Sequence, residues 1–218
     1  MVVLALSPPL DGAAAADFRA HAAQHLVLGM LGPLAVVMGA PVTLALAALG
    51  DGRPRRLLVR SVSSRWARAV THPAAAVTLA GGGMYAVYAT PLYAAAVDNV
   101  ALHAAVHVHT FAAGALLAWV VAGPDPGPHR PGLAGRVAVL IAAAALHGIL
   151  AKAIYAHGLG PEAVHALDDV RQGAQLMYYG GEVVDLLLAI ALFAWWLRGR
   201  ARRVRRAGWQ PAAASASA

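Results

Sequence analysis

The chain has 218 residues, 60% of them hydrophobic and 12% charged, with a formal net charge of +7 and no cysteine. Soluble domains are roughly half apolar and about a quarter charged, so this composition excludes an ordinary water-soluble fold and marks a polytopic membrane protein. The lack of cysteine excludes disulfides and thiolate ligands, leaving His, Met, carboxylate or water to hold any metal.

The opening MVVLALSPPLDG is apolar but has no basic n-region and no small-residue cleavage pattern, so no cleaved signal peptide is expected. It is also too short to span. Five later stretches reach the roughly 20 apolar residues that a spanning helix needs. The first runs from about His25 to Leu49, with Asp17 as its N-cap and Pro33 and Pro41 as kinks. The second runs from about Pro73 to Ala96, where Gly81, Gly82 and Gly83 permit close contact or local unwinding. The third is Val100 to Val121, the fourth about Leu133 to Ala156 and the fifth about Gln175 to Leu197. The expected plan is all-α: an extracytoplasmic segment over 1–17, a five-helix membrane bundle over 18–197, and a basic, disordered cytoplasmic tail over 198–218 ending in PAAASASA.

Orientation follows from the basic residues. Arg53, Arg55, Arg56, Arg60, Arg65 and Arg68 lie between the first two stretches. Arg130 and Arg136 flank the link from the third to the fourth, and an arginine run from Arg198 to Arg206 follows the fifth. All share one side of a five-span topology, and the positive-inside rule makes that side cytoplasmic, with the N-terminus out and the C-terminus in. The acidic residues show the reverse bias. The arginine runs need only anionic lipid headgroups as partners, so membrane lipid is expected and nucleic acid is not.

The third stretch, VALHAAVHVHTFAAGALLAWVV, carries His103, His107 and His109 in its first half. Ionisable side chains in hydrocarbon usually face the protein interior and mark a site. His103 and His107, four apart, share one helix face. At ~1.5 Å per residue they lie ~6 and ~12 Å below the outer end. His21 and His25 repeat that spacing with Gln24 between them. His157 and His165 sit at or beyond the outer end of the fourth stretch, and His147 lies deeper. Only His72 and His129 of the 10 histidines fall on the cytoplasmic side. Scattered structural histidines would not segregate in this way.

Two readings stand side by side. In one, the histidines are buried groups hydrogen-bonded to neighbouring helices. In the other, His21, His25, His103, His107 and His147 converge on an ion; imidazole suits copper, zinc, iron and nickel. Thioether would tilt the choice to Cu(I), with Met30, Met84 and Met177 as candidates, although packing is the commoner role of such methionines. Glu182 and Asp185 sit three apart inside the fifth stretch, at the depths of Lys152 and His147. They either form a structural ion pair or hold a histidine ligand in one tautomer. Asp98 and Asp169 offer the same support nearer the surface. His72 and Asp125 read as loop or helix-end residues. No nucleophile elbow, phosphate loop or zinc-protease motif is present, so the chain does not read as an enzyme.

The segments HAAQHLVLGMLGPLAVVMGAPVTLAL, THPAAA, TPLY, HAAVHVHTFAAGALLAW, GPDPGPHR and DDVRQGAQLMYYGGE, in this order, resemble the motifs of the CtaG-type cytochrome c oxidase assembly factors. The resemblance runs from about Ser7 to Trp196. It implies a bacterial plasma-membrane protein concerned with inserting copper into haem–copper oxidases. The positions it carries over are His21, Gln24, His25, His72, His103, His107, Asp125, His147, Asp169 and Glu182. Three departures stand out. Family members usually have a further helix before the SPPLD equivalent; here that helix is expected to be missing or the start truncated, with residues 1–17 as its remnant. The usual His-Met pair is His21-Ala22, and the usual glycine run after Asp169 is thinned to Gly173, Ala174 and Gln175. The resulting expectation is transient copper binding, as Cu(I), with an oxidase subunit and a copper donor protein as partners. The alternatives are a b-type haem electron carrier and a metal-independent chaperone for an oxidase subunit.

Overall fold

Hydrocarbon offers backbone N–H and C=O groups no partner outside the chain, so each apolar stretch must satisfy itself as helix. The computed structural model describes residues 16–127 and 131–208, with backbone alone over 205–208. The opening dodecapeptide, His129, Arg130 and the PAAASASA tail lie outside those residues. No strand occurs among the described residues.

Helix α1 (Phe18–Leu26) starts at Asp17, which has extended backbone and accepts from the Arg19 N–H as an N-cap. It continues through a π-helical turn, Val27–Leu31, into α2 (Gly32–Met38). Pro33 explains the turn. It has no N–H for the carbonyl of Gly29 four residues back, and its ring crowds that oxygen, so the helix widens there. Gly114 receives the freed carbonyl: a β-carbon at that position would overlap the Gly29 oxygen. Ala40, at φ 52°, breaks the helix before Pro41 opens α3 (Pro41–Ala48).

Two short basic helices follow, α4 (Arg53–Val62) and α5 (Arg65–Val70). The second apolar stretch then rises as α6 (Pro73–Val77), a second π-helical turn (Thr78–Gly82) and α7 (Gly83–Tyr88). His72 caps α6 by accepting from Ala74 N–H at 3.3 Å through Nδ1. Pro91 ends the run because the residue before a proline avoids helical backbone, and α8 (Leu92–Val97) restarts after it. This stretch is therefore a broken helix. Four other runs, Phe18–Ala48, Val100–Val121, Leu133–Ala163 and Leu167–Val204, are long and apolar enough to cross a membrane. They comprise α1–α3, α9 (Val100–Val121), α10 (Leu133–His157) with a 3₁₀ turn at Gly160–Ala163, and α11 (Leu167–Gly208). Helix α11 starts earlier than its apolar core requires and runs past Leu197 through the arginines. Arginine is a good helix former, and Arg200 lies over the Trp196 ring at 5.1 Å.

Helix α11 packs along both α10 and α1, while α9 packs on α2 and the first π-turn. Two apolar clusters result. One, around Phe18, Tyr88, Tyr93, Leu150, Ile154 and Met177, fills the end where α1, α9 and α11 begin, the histidine-rich end. The other, around Val37, Val121, Val139, Leu188 and Leu192, fills the arginine-rich end. Large apolar side chains such as Val108, Ile141, Ile149, Leu186 and Ile190 point outward, as helices solvated by lipid require.

Two buried charges close the arginine-rich end. Asp125, 0% exposed, accepts from Val42 N–H at 3.1 Å and from Thr43 N–H and Oγ1 at 2.7 and 2.6 Å, and so caps α3 from the loop after α9. Arg136, 1% exposed, donates to the carbonyls of Val121 at 2.9 Å and Pro131 at 3.1 Å, with its guanidinium 4.1 Å from the Trp195 ring centre. Arg136 does flank the link into the fourth stretch, as its position there suggested, but it lies in the interior and satisfies the last carbonyl of α9 and the loop carbonyl of Pro131.

Replacing Asp125 with alanine removes three hydrogen bonds and strands two backbone donors. A loss of about 1–2 kcal/mol is expected, with Asp125→Asn intermediate. Thermal unfolding in detergent measures it, and an unchanged midpoint for the alanine variant contradicts the capping role.

Candidate histidine site

The site is held in place by a clamp between the first turns of α1 and α11. Asp169 Oδ2 accepts from the Phe18 N–H at 2.7 Å, and its Oδ1 lies 3.3 Å from Arg19 Nε. Arg19 also pairs with Asp17 at 2.7 Å and donates to Gln172 Oε1 at 3.1 Å. The hydrogen bond from Arg19 holds the Asp17 carboxyl well below the usual carboxylate range, against a smaller desolvation effect. Behind Asp169, His165 Nδ1 is 3.9 Å from Oδ2, and its Nε2 is 2.8 Å from the Tyr93 hydroxyl. Phe18 stands among His21, Tyr88, Tyr93 and His165, in ring contact with each. The clamp fixes the register of α1, and so the direction of its two histidines.

His21 Nε2 meets the Tyr88 hydroxyl at 3.0 Å. One helical turn below, His25 is 8% exposed and His147 on α10 is 4% exposed. Their ring planes lie within 9° of parallel with centres 6.1 Å apart. Neither Nε2 has a hydrogen-bond partner. A buried polar atom left in that state costs about 1–3 kcal/mol, so such groups call for a reason. Gly181 on α11 makes the room for His147, since a β-carbon there would occupy the ring's position. On α9 the rings of His103 and His107 touch edge to face, 4.3 Å between centres. His109, on another face, reaches the Leu79 carbonyl in the second π-turn at 3.1 Å.

These residues border two small cavities. The upper one, of about 30 Å³, is lined by His21, Gln24, His25, Met84, Tyr88, His107 and Thr110 among others. The lower one, of about 50 Å³, is lined by His25, Met30, Met84, His109, Thr110, His147 and Asp185 among others. His25, Met84 and Thr110 line both. Each has room for a few waters or a small ion. Both are far smaller than the roughly 300 Å³ at which pockets for drug-sized molecules start.

The expected ligands are thus only partly brought together. His21, Gln24, His25 and His107 share the upper cavity, and His147 and Asp185 the lower. His103 is partly buried beside His107 and lines neither. Among the described residues, no group of three or more His, Asp or Glu side chains is poised as a preformed metal shell. Glu182 is exposed on the bundle surface, and Lys152 lies over the Tyr178 ring at 4.9 Å, with no ion pair between the two. Asp98 is exposed at the end of α8. Met177 is fully buried in the apolar cluster at the histidine-rich end and lines neither cavity. Asp169 serves the clamp. Sequence reasoning passed over Tyr88 and Thr110, and placed His165 at the outer end without a partner; Tyr93, in TPLY, was the one available signal.

Residues 1–199 match the family model described as cytochrome c oxidase caa3 assembly factor (Caa3_CtaG). Uncharacterized proteins of Mycobacterium bovis and Mycobacterium tuberculosis are each 37% identical over 145 residues, 64% of this chain and 22% of their own length. An uncharacterized protein of Mycobacterium leprae is 30% identical over 200 residues, 84% of this chain and 30% of its own length. The chain therefore spans less than a third of the length of these curated relatives. No solved structure matches it.

The depressed Asp17 carboxyl gives the clamp a pH signature. A group whose native pKa is lowered contributes stability above its ordinary value, 3.8 here, and loses it as pH falls toward the native value. Amide protection at Arg19 to His21, corrected for intrinsic exchange, should hold from pH 7 to about 4 and fall only below that. Protection already lost at pH 6 contradicts the ion-pair account.

Proposed function

Because the chain belongs to the cytochrome c oxidase caa3 assembly factor family, we propose that it serves oxidase maturation by holding copper in transit at the histidine-rich end of the bundle. Membership in an assembly-factor family supports a role that acts on another protein rather than catalysis. The single observation behind the copper reading is the upper cavity, on which His21, Gln24 and His25 of α1 converge with His107 of α9. Imidazoles from separate helices, with a thioether at Met84, make a donor set suited to copper and poorly suited to hard divalent ions. The absence of a complete preformed shell among the described residues fits a carrier, which must load and release.

The arginine distribution supports an orientation with the histidine-rich end outside the cytoplasm. Copper would then arrive from the extracytoplasmic side of a bacterial plasma membrane, from a donor protein, and pass to an oxidase subunit. The size of the cavities argues against the haem carrier. The second reading is a chaperone that holds the oxidase subunit without touching metal. It draws on the same lack of a preformed shell.

The two readings separate in cells that depend on this protein for oxidase assembly. His103→Ala with His107→Ala should lower copper per assembled oxidase at least threefold while the subunit still accumulates. Normal copper content in the oxidase removes the carrier reading in favour of the metal-free one.

A further inference from the structure

We propose that the lower cavity is a second Cu(I) site, formed by His25, His147 and the thioethers of Met30 and Met84, and that His25 hands the ion between the two cavities. This rests on copper being the cargo.

Several independent observations meet at this cavity. Its lining comes from α1, both π-turns, α7, α9, α10 and α11, so it is the point where the bundle converges. Gly29 and Met30 belong to one π-turn, Ala80 and Gly81 to the other. Such turns cluster at functional sites, because the widened backbone re-aims side chains. His25 and His147 both line it, and both Nε2 atoms are buried without a hydrogen-bond partner. Their near-parallel rings, 6.1 Å between centres, sit close enough for one ion to take a nitrogen from each with small side-chain rotations.

The donor chemistry selects the ion. Two imidazoles and one or two thioethers satisfy Cu(I), which accepts few, soft ligands. A harder divalent ion would need further carboxylate or water oxygens, and a cavity of about 50 Å³ has little room for them. A cation at this depth also needs a counter-charge. Asp185 is the only acidic residue among the described residues that line the cavity. His147 lies ten residues from the end of α10 at His157, or ~15 Å along the axis. An acceptor that takes the ion from here must present its own ligands inside the bilayer. A soluble acceptor would be confined to the upper cavity.

Cu(I) stoichiometry of the full chain in detergent, by anaerobic competition with a chromophoric Cu(I) chelator, tests this. Wild type should bind two Cu(I) per chain. His147→Gln should bind one, and His21→Ala with His107→Ala should also bind one. Met30→Leu, close to isosteric and confined to the lower cavity, should weaken one of the two ions at least tenfold and guard against a folding artefact in the His147 variant. A wild type with one Cu(I) that survives His147→Gln and Met30→Leu overturns the lower site and leaves the upper one standing. Two ions unaffected by those variants overturn it as well. A wild type that binds no Cu(I) overturns the copper reading itself.

Discussion

Every polar group in the middle of this bundle has to find its partner inside the bundle, because hydrocarbon supplies none. That constraint accounts for most of the structure. At the first π-turn Gly114 leaves room for the Gly29 carbonyl, and at the second the Leu79 carbonyl is reached by His109 as well as by the Gly83 N–H. Helix ends are closed by Asp125, Arg136 and Asp169. Among the described residues, the Nε2 atoms of His25 and His147 are buried without a hydrogen-bond partner. They lie between two apolar clusters, at the level where the cavities meet.

The position of the histidines follows from a short causal chain. Asp17 and Asp169 set where α1 begins and how it is turned. Pro33 then forces a widened turn immediately below His25. Gly181 leaves space for His147 on the facing helix. The site is therefore built on helices rather than loops. The chain belongs to the cytochrome c oxidase caa3 assembly factor family. The cavity geometry narrows what it could handle there to something the size of an ion.

Much of the fold was legible because the signals were local. Val100–Val121 has the bounds its apolar run prescribes, and Asp17 caps the helix it precedes. Pro33 and the glycines at 81–83 marked the two places where the helix deforms. Counting residues from helix ends put Asp185 level with His147, and the two line one cavity. What stayed hidden depends on partners distant in sequence. Arg136 and Asp125 look like loop charges until α3 and α9 present backbone groups to them. His165 and Tyr93, 72 residues apart, have no pattern that announces their hydrogen bond. Helical spacing showed that His103 and His107 share a face, but not that only His107 borders a cavity.

The central claim is that imidazoles from separate helices meet around a space that one ion can occupy, with His25 common to both cavities. X-ray absorption of the Cu(I)-loaded protein in detergent probes this directly. The account predicts imidazole scatterers at about 2 Å, with their number falling when His25 is replaced by alanine. Copper retained without imidazole in its shell, or a spectrum unchanged by His25→Ala, contradicts it.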